Sequence, residues 1–242
     1  MASISNNQES INKVQKILNK NDRISSLSDP LLIHILSFLP TKYAVGTSIL
    51  SLRWKCLWAS VPTLDFDSKL WFELNSDVRL SSNFLNFVER VLFNHDLSCI
   101  QKFRLYCIER KEHKLSRICT WIGVAIQRGV QELDIRIGVT EEQNYLPSSL
   151  FTCPTLVVLK LGLLVCFSVP RSVHFKTLKV LHISLGLSSN ELTRNLFRNC
   201  PVLEDLIIKG DIPCNERLFF DVSTPALKSF KFDIDTDDGE DV

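Results

Sequence analysis

The chain has 242 residues, 45% of them hydrophobic and 23% charged, with a formal net charge of +1. That length suits one large or two small soluble domains, and a charge so near zero gives no global pull toward nucleic acid. The first residues, MASISNNQESINK, lack the basic-then-apolar pattern of a signal peptide, and the longest greasy run, LVVLKLGLLVCF, is interrupted by Lys160 and too short to span a bilayer.

Residues 1–21 are rich in Asn, Ser and Gln and read as a disordered tail. The stretch from Asp22 to Phe66 is different. From Leu31 to Leu39 seven of nine residues are apolar, and the two exceptions, His34 and Ser37, share one narrow strip of a helix. Three short helices fit this stretch. Asp29 as N-cap with Pro30 behind it starts the first, which Pro40 ends at Leu39. Thr41 caps a second through about Leu50, and Ser51 a third that carries Trp54, Leu57 and Trp58 up to Pro62. A unit of about 45 residues has too small a core to cover such a first helix on every side. One face therefore packs internally and another is expected to be covered by a second protein.

Helical spacing returns at 84–93 and at 115–126. A repeat then dominates. The pattern apolar-x-x-apolar-x-apolar starts at Ile100, Val130, Leu156, Leu178, Leu203 and Leu227, with separations of 30, 26, 22, 25 and 24 residues. Six instances in the 20–30 range have the period of leucine-rich repeats. LFTCPTL (150–156) and LFRNCPVL (196–203) echo one another ahead of two of them. The expected fold class is thus mixed α+β to α/β repeat: a small three-helix unit followed by a solenoid of strand-plus-return repeats over 100–233, about six strands, with a helical linker at 69–99. Strand residues between the apolar positions (Arg104, Asp134, Lys160, His182, Ile207 and Lys231, with Arg136 and Lys209 beside them) are expected on a concave side that leans basic. Residues 234–242 form an acidic tail directly after the last repeat, which leaves little room for a capping unit.

Catalytic constellations are missing from this reading. No phosphate-cradling loop, H-E-x-x-H or G-x-S-x-G occurs. Glu109, Glu112 and His113 lie in a charged run that reads as solvated surface, as does Glu141-Glu142. The eight cysteines form no CxxC pair and no zinc spacing with histidine, so no metal or cofactor is expected, and reduced buried thiols in cytoplasm or nucleus are the better reading.

The apolar stretch resembles an F-box, that of the plant F-box/FBD/leucine-rich-repeat group. The matching residues run through Asp22-Arg23-Ile24-Ser25, Leu27, Ile35 to Lys42, Ala44-Val45, Thr47 to Ser51, Arg53-Trp54, Leu57-Trp58, Val61-Pro62 and Leu64 to Asp67, which places the F-box at 22–68. Similarity continues to about 233, and the group's C-terminal FBD region is missing, so the sequence reads as a shorter form of a longer architecture. The resemblance implies a non-catalytic subunit of a Skp–cullin–F-box ubiquitin ligase. Its F-box would dock on the Skp adaptor, and through it on cullin and RING subunits, while the repeats bind a target protein, with no nucleic acid or membrane partner. Adaptor contact would fall on Leu27, Leu32, Ile35, Leu36, Leu39, Pro40, Leu50, Arg53 and Trp54. Leu32 and Trp54 fit the unit's own core equally well. Target contact would fall on Arg104, Arg136, Lys160, His182, Lys209 and Lys231. The usual Leu-Pro-Asp-Glu opening is here Leu27-Ser28-Asp29-Pro30, Leu52 stands for a basic residue and Tyr43 for an acidic one. Such changes are expected to weaken adaptor binding without abolishing it. The alternative is a repeat scaffold that recruits no ligase.

Overall fold

The computed structural model describes residues 23–24, 26–72, 78–96, 99–107, 115–138, 146–163, 170, 172–185, 196–210 and 224–234. The expected tails lie outside them, apart from Ile234, as do Glu109, Glu112, His113, Glu141 and Glu142. Seven strands form one parallel sheet in chain order: β1 (Thr63–Asp67), β2 (Lys102–Cys107), β3 (Glu132–Ile137), β4 (Val158–Leu163), β5 (Val180–Leu185), β6 (Asp205–Gly210) and β7 (Ser229–Ile234). Strands that pair only with their neighbours in sequence make a solenoid, with each return on the same side.

Sheet formation starts one strand earlier than the repeat pattern shows. β1 comes from the last residues of the apolar stretch and pairs in register with β2, Leu64 against Phe103 and Phe66 against Leu105. The register continues across the sheet, so Leu64, Phe103, Leu133, Leu159, Leu181 and Leu206 form one buried line and Phe66, Leu105, Ile135, Leu161, Ile183 and Ile208 a second. Two residues ahead of the strands, Ile100, Val130, Leu156, Leu178 and Leu203 are fully buried as well. Full burial of one such side chain stabilises by ~1.5–3 kcal/mol before chain entropy is subtracted.

A backbone device repeats with the same period. The carbonyl of the residue just before a strand accepts two consecutive N–H groups from the next repeat: Pro62 from Gln101 and Lys102, Gln101 from Gln131 and Glu132, Gln131 from Val157 and Val158. Val157, Lys179 and Glu204 continue it in the same way as far as Lys228 and Ser229. Each strand start is thereby fixed by the strand before it.

On the covered side lie α4 (Val78–Asn94) and α5 (Leu115–Gln127), which close the first repeats, while Phe151 and Phe175 stack at 6.2 Å in the later ones. The chain leaves α5 through Gly129 at φ 74°, with Val130 N–H bonded to Ala125 O and Gly129 N–H to Ile126 O. This is a Schellman closure, which requires the left-handed conformation glycine adopts without strain.

Ahead of β1, α1 (Asp29–Leu36) and α2 (Thr41–Gly46) differ from the expected boundaries. Ser28 is the N-cap residue of α1, and Asp29 lies inside the helix. Its last turn ends three residues short of Leu39, where Ser37 Oγ donates to the His34 carbonyl. The expected third α-helix does not form: residues 52–56 are turns and Leu57–Ser60 a 3-10 helix. So short a helix is marginal alone, and the burial of Trp54, Leu57 and Val61 dictates a path of turns instead. A short α3 (Lys69–Phe72) follows β1.

Two contacts weld the helical unit to the sheet. Thr41 Oγ accepts the Asp65 N–H at 2.8 Å, so α2 satisfies the outer edge of β1, which would otherwise stand open. His95, 3% exposed after α4, places Nε2 2.8 Å from the Val61 carbonyl, and Arg128 from the end of α5 reaches its Nδ1 at 3.2 Å. The Val61 oxygen can only accept, so Nε2–H is the donor in this contact, and the Asp96 carbonyl lies 2.9 Å from Nδ1. His95→Ala leaves a buried carbonyl and Arg128 without this partner. It is expected to destabilise the fold by ~1–3 kcal/mol, read as a lower urea midpoint at unchanged slope; an unmoved midpoint would remove the joint's importance.

Candidate functional site: an apolar helical face and the open face of the sheet

In the helical unit, Leu32 and Leu36 are one turn apart and point inward, where they meet Ala44, Trp54, Leu57 and Val61. Leu31, Ile35 and Phe38 form a second stripe at helical spacing, and these are exposed. Among the described residues eleven large hydrophobic side chains are exposed, and nine of them lie between Ile24 and Leu52. Isolated exposed apolar residues need no explanation, whereas a concentration of this kind marks an interaction surface.

The residues the F-box resemblance assigns to adaptor contact divide accordingly. Ile35, Leu39 and Leu50 are exposed at 43%, 36% and 63%, and Leu27 and Pro40 are half-buried. Leu32, Leu36 and Trp54 are buried at 0%, 1% and 5%. Side chains with no surface in the free chain cannot meet a partner that leaves the unit packed, so those three hold the unit together. Arg53 is tied within the unit: Nε and Nη2 reach the Asp29 carboxylate at 2.9 and 2.6 Å, and Nη2 also donates to the Leu27 carbonyl. The shift that puts Asp29 inside α1 thus supplies the partner that orients Arg53. The set drawn from the resemblance leaves out the exposed Leu31, Phe38 and Ile49 and names Leu52 only as a departure; Ile49 and Leu52 are exposed at 90% and 89%. The stripe at 31, 35 and 38, about 100° around the helix from 32 and 36, was the available signal.

The six residues expected to meet a target do share the open face of the sheet. Arg104, Lys160, His182 and Lys231 lie in one cross-strand row with Asp65, Asp134 and Ile207; Arg136 and Lys209 lie in the next with Tyr106, Gly162 and Ser184. The expectation of a basic face fails, however. Six cations on this face (Lys102, Arg104, Arg136, Lys160, Lys209 and Lys231) stand against six carboxylates (Asp65, Asp67, Glu132, Asp134, Asp205 and Asp233). Compensation runs between neighbouring strands. Arg104 lies 3.2 Å from Asp65 and 3.9 Å from Asp134, Lys102 2.9 Å from Glu132, His182 3.1 Å from Asp205 and Lys209 3.3 Å from Asp233. Hydrogen bonding from Lys209, with the charge of Lys231, holds the Asp233 carboxyl below its usual range.

Among the described residues no cluster of three metal-ligating side chains occurs. Burial pushes the Cys200 thiol up to about 12, and its Sγ hydrogen-bonds the Leu196 carbonyl, so it is a structural group in the echoed Cys-Pro motif.

These features define a class before any comparison: a compact helical unit with an uncovered apolar face, fused to a parallel-sheet solenoid with a polar open face. Comparison with known proteins narrows it. The F-box domain family matches residues 24–66, and the family described as FBD-associated F-box protein At5g56370, LRR repeats, matches residues 118–236. The F-box/LRR-repeat protein At4g14103 of Arabidopsis thaliana is 40% identical over 216 residues, covering 87% of this chain and 55% of that protein. The FBD-associated F-box protein At4g10400 from the same plant is 40% identical over 88% of this chain and 53% of its own length, and the F-box/FBD/LRR-repeat protein At4g00160 is 35% identical over 94% and 49%. The chain belongs to the plant F-box/leucine-rich-repeat family. It spans about half the length of these relatives. No solved structure matches it.

The charge ladder makes a pH prediction at its first rung. Asp65 Oδ1 is buried and has no hydrogen-bond partner among the described residues. Burial raises the Asp65 carboxyl above its ordinary range, with Arg104 pulling the other way. The folded chain therefore holds this proton more tightly than the unfolded chain does. That stabilisation is complete below the ordinary carboxylate range and is lost as the pH rises through the raised value. Asp65→Asn stays neutral throughout, so its stability relative to wild type is expected to improve between pH ~4 and pH ~7. Denaturation midpoints at both values check this, and a difference independent of pH would contradict it.

Proposed function

We propose that this protein is the substrate-receptor subunit of a Skp–cullin–F-box ubiquitin ligase. The helical unit docks on a Skp-family adaptor, the open face of the repeats holds a target protein, and cullin and RING subunits supply the transfer chemistry. The observation that carries the reading is the concentration of nine exposed apolar side chains in a unit that already has its own core. A repeat scaffold with no adaptor would have no use for that face.

In this reading Ile35, Leu39 and Leu50, extended by Leu31, Phe38, Ile49 and Leu52, form the greasy centre of the interface. Leu27, Pro40 and Arg53 form its rim, and Leu32, Leu36 and Trp54 stiffen it from behind. Loss of the usual basic residue at Leu52 removes a charge and adds apolar area at an exposed position, so the departure need not cost affinity. Arg104, Arg136, Lys160, His182, Lys209 and Lys231 are the proposed target contacts. Among the described residues no helix is long and apolar enough to cross a membrane, and the proposed place of action is cytoplasm or nucleus.

The test separates surface from core. Ile35→Asp and Leu50→Asp are expected to leave the circular dichroism and melting curve near wild type while reducing capture of a Skp adaptor at least about tenfold each, since a central interface residue is worth ~2 kcal/mol or more. Leu36→Asp should instead unfold the unit, a buried charge without partner being far costlier. Undiminished adaptor capture by the folded Ile35 and Leu50 variants would refute the assignment.

A further inference from the structure

We infer that the groove around Gly162 and Ser184 on the open face of the sheet is a subsite for a single oxyanion-bearing side chain, a carboxylate or phosphoryl group, on the bound target. This rests on the receptor reading above and adds the chemistry of what is received. The groove spans β3 to β6 and has a volume of ≈ 280 Å³, at the small end of ligand sites, so it suits a side chain rather than a free cofactor.

Its floor is made by two small residues in one cross-strand row, Gly162 and Ser184, and the row is closed by Arg136 on one side and Lys209 on the other. The arginine stem runs close over Gly162: a Cβ there would lie 3.1 Å from Arg136 Cγ, a tight contact that would push the side chain aside. Neighbouring strands are ~4.8 Å apart, so a group resting on Gly162 and Ser184 has each cation one strand away. Lys160 and His182 stand in the adjoining row.

The face as a whole is neutral, but the groove's own lining holds three cations, Arg136, Lys160 and Lys209, against one carboxylate. Asp134 is the one carboxylate in its lining, and it is shared by Arg136 at 3.2 Å and Arg104 at 3.9 Å. The acids that balance the face lie outside this lining but reach into it, Asp233 to Lys209 at 3.3 Å, Asp205 to His182 at 3.1 Å and Glu132 to Lys160 at 4.0 Å, so an arriving oxyanion exchanges with these pairs. Arg136 engages Asp134 through Nε. A guanidinium has a fork of further donors suited to carboxylate or phosphate. Arg136 and Lys209 are 51% and 59% exposed, and ion pairs this exposed are weak and exchange readily. The surrounding acids also select the kind of partner. A nucleic-acid backbone needs a continuous basic track, whereas Glu132, Asp205 and Asp233 would repel its flanking phosphates. One anionic residue in a neutral or basic peptide satisfies both conditions.

The test uses the purified full chain on arrays of degenerate 11-residue peptides whose central residue is fixed as phosphoserine, glutamate, alanine or lysine. Retention on the phosphoserine or glutamate sets is expected to exceed that on alanine by about tenfold, the scale of one charge-assisted hydrogen-bonded pair. It should drop to the alanine level in the double variant Arg136→Gln/Lys209→Gln and in Gly162→Val. Phosphoserine above glutamate identifies a phosphoryl group, and equal retention a carboxylate. Equal retention on all four sets, or a preference unchanged in the double variant, overturns the inference. Adaptor capture by the same preparations keeps the two readings apart. Capture without charge preference refutes the groove alone, and charge preference without capture refutes the receptor reading alone.

Discussion

In-register parallel pairing of consecutive strands is the constraint on which the rest of this protein depends. It sets Leu64, Phe103, Leu133, Leu159, Leu181 and Leu206 in one buried line, and the carbonyl before each strand, accepting two N–H groups from the next repeat, keeps that line from slipping. Because the side-chain period of a strand is two, a slip of one residue would move a whole apolar set to the open face. The same register forces the open-face residues into rows. Charge balance, the gap at Gly162 and the grouping of cations around it are all consequences of which residue each repeat contributes to a row.

An array of parallel strands has ends, and an open edge invites unwanted pairing. At the first edge the solution is the helical unit. Thr41, 3% exposed, takes the N–H of Asp65, and α2 packs beside β1. The F-box thus presents two different faces: one side packs against the first strand of the solenoid, and another is apolar and exposed. Trp58 packs against both hydrophobic cores and shows how little separates them.

Much of this was legible in the sequence, for physical reasons that differ by feature. The six apolar hexamers mark six strands because a residue buried in every repeat has to recur at the repeat's period. β1 escaped because Thr63–Asp67 belongs to the helical unit's sequence, and only pairing with β2 reveals it as a repeat. The helix expected from Ser51 failed because spacing alone cannot tell a helical face from a run of turns anchored by Trp54 and Leu57. Leu32, Leu36 and Ile35 are chemically alike and adjacent in sequence, so inward and outward stripes separate only when the second hydrophobic core is known. Likewise the open face reads as basic when Asp134 is the one acid set against its cations. Asp65 and Glu132 become their partners only through the register, which joins residues tens of positions apart.

The shared strand also bears on how such a protein would work as a receptor. β1 is at once the end of the helical unit and the first strand of the sheet, and His95 and Arg128 clamp the preceding turn to the helices behind it. Two binding faces joined by a flexible linker would hold a target at many distances from the adaptor, and effective concentration falls as a linker lengthens. Here no linker intervenes, so the direction from the apolar face to the groove at Gly162 is set by strand spacing and count alone. From β1 to β4 that is three steps of ~4.8 Å across the sheet, a rigid offset of roughly 14 Å along the pairing direction. On the receptor reading, a target seated there would be presented at one fixed position relative to the docked adaptor. On that reading the repeats would act as a ruler as well as a binding surface, and the stiffness of the joint would matter as much as the chemistry of either face.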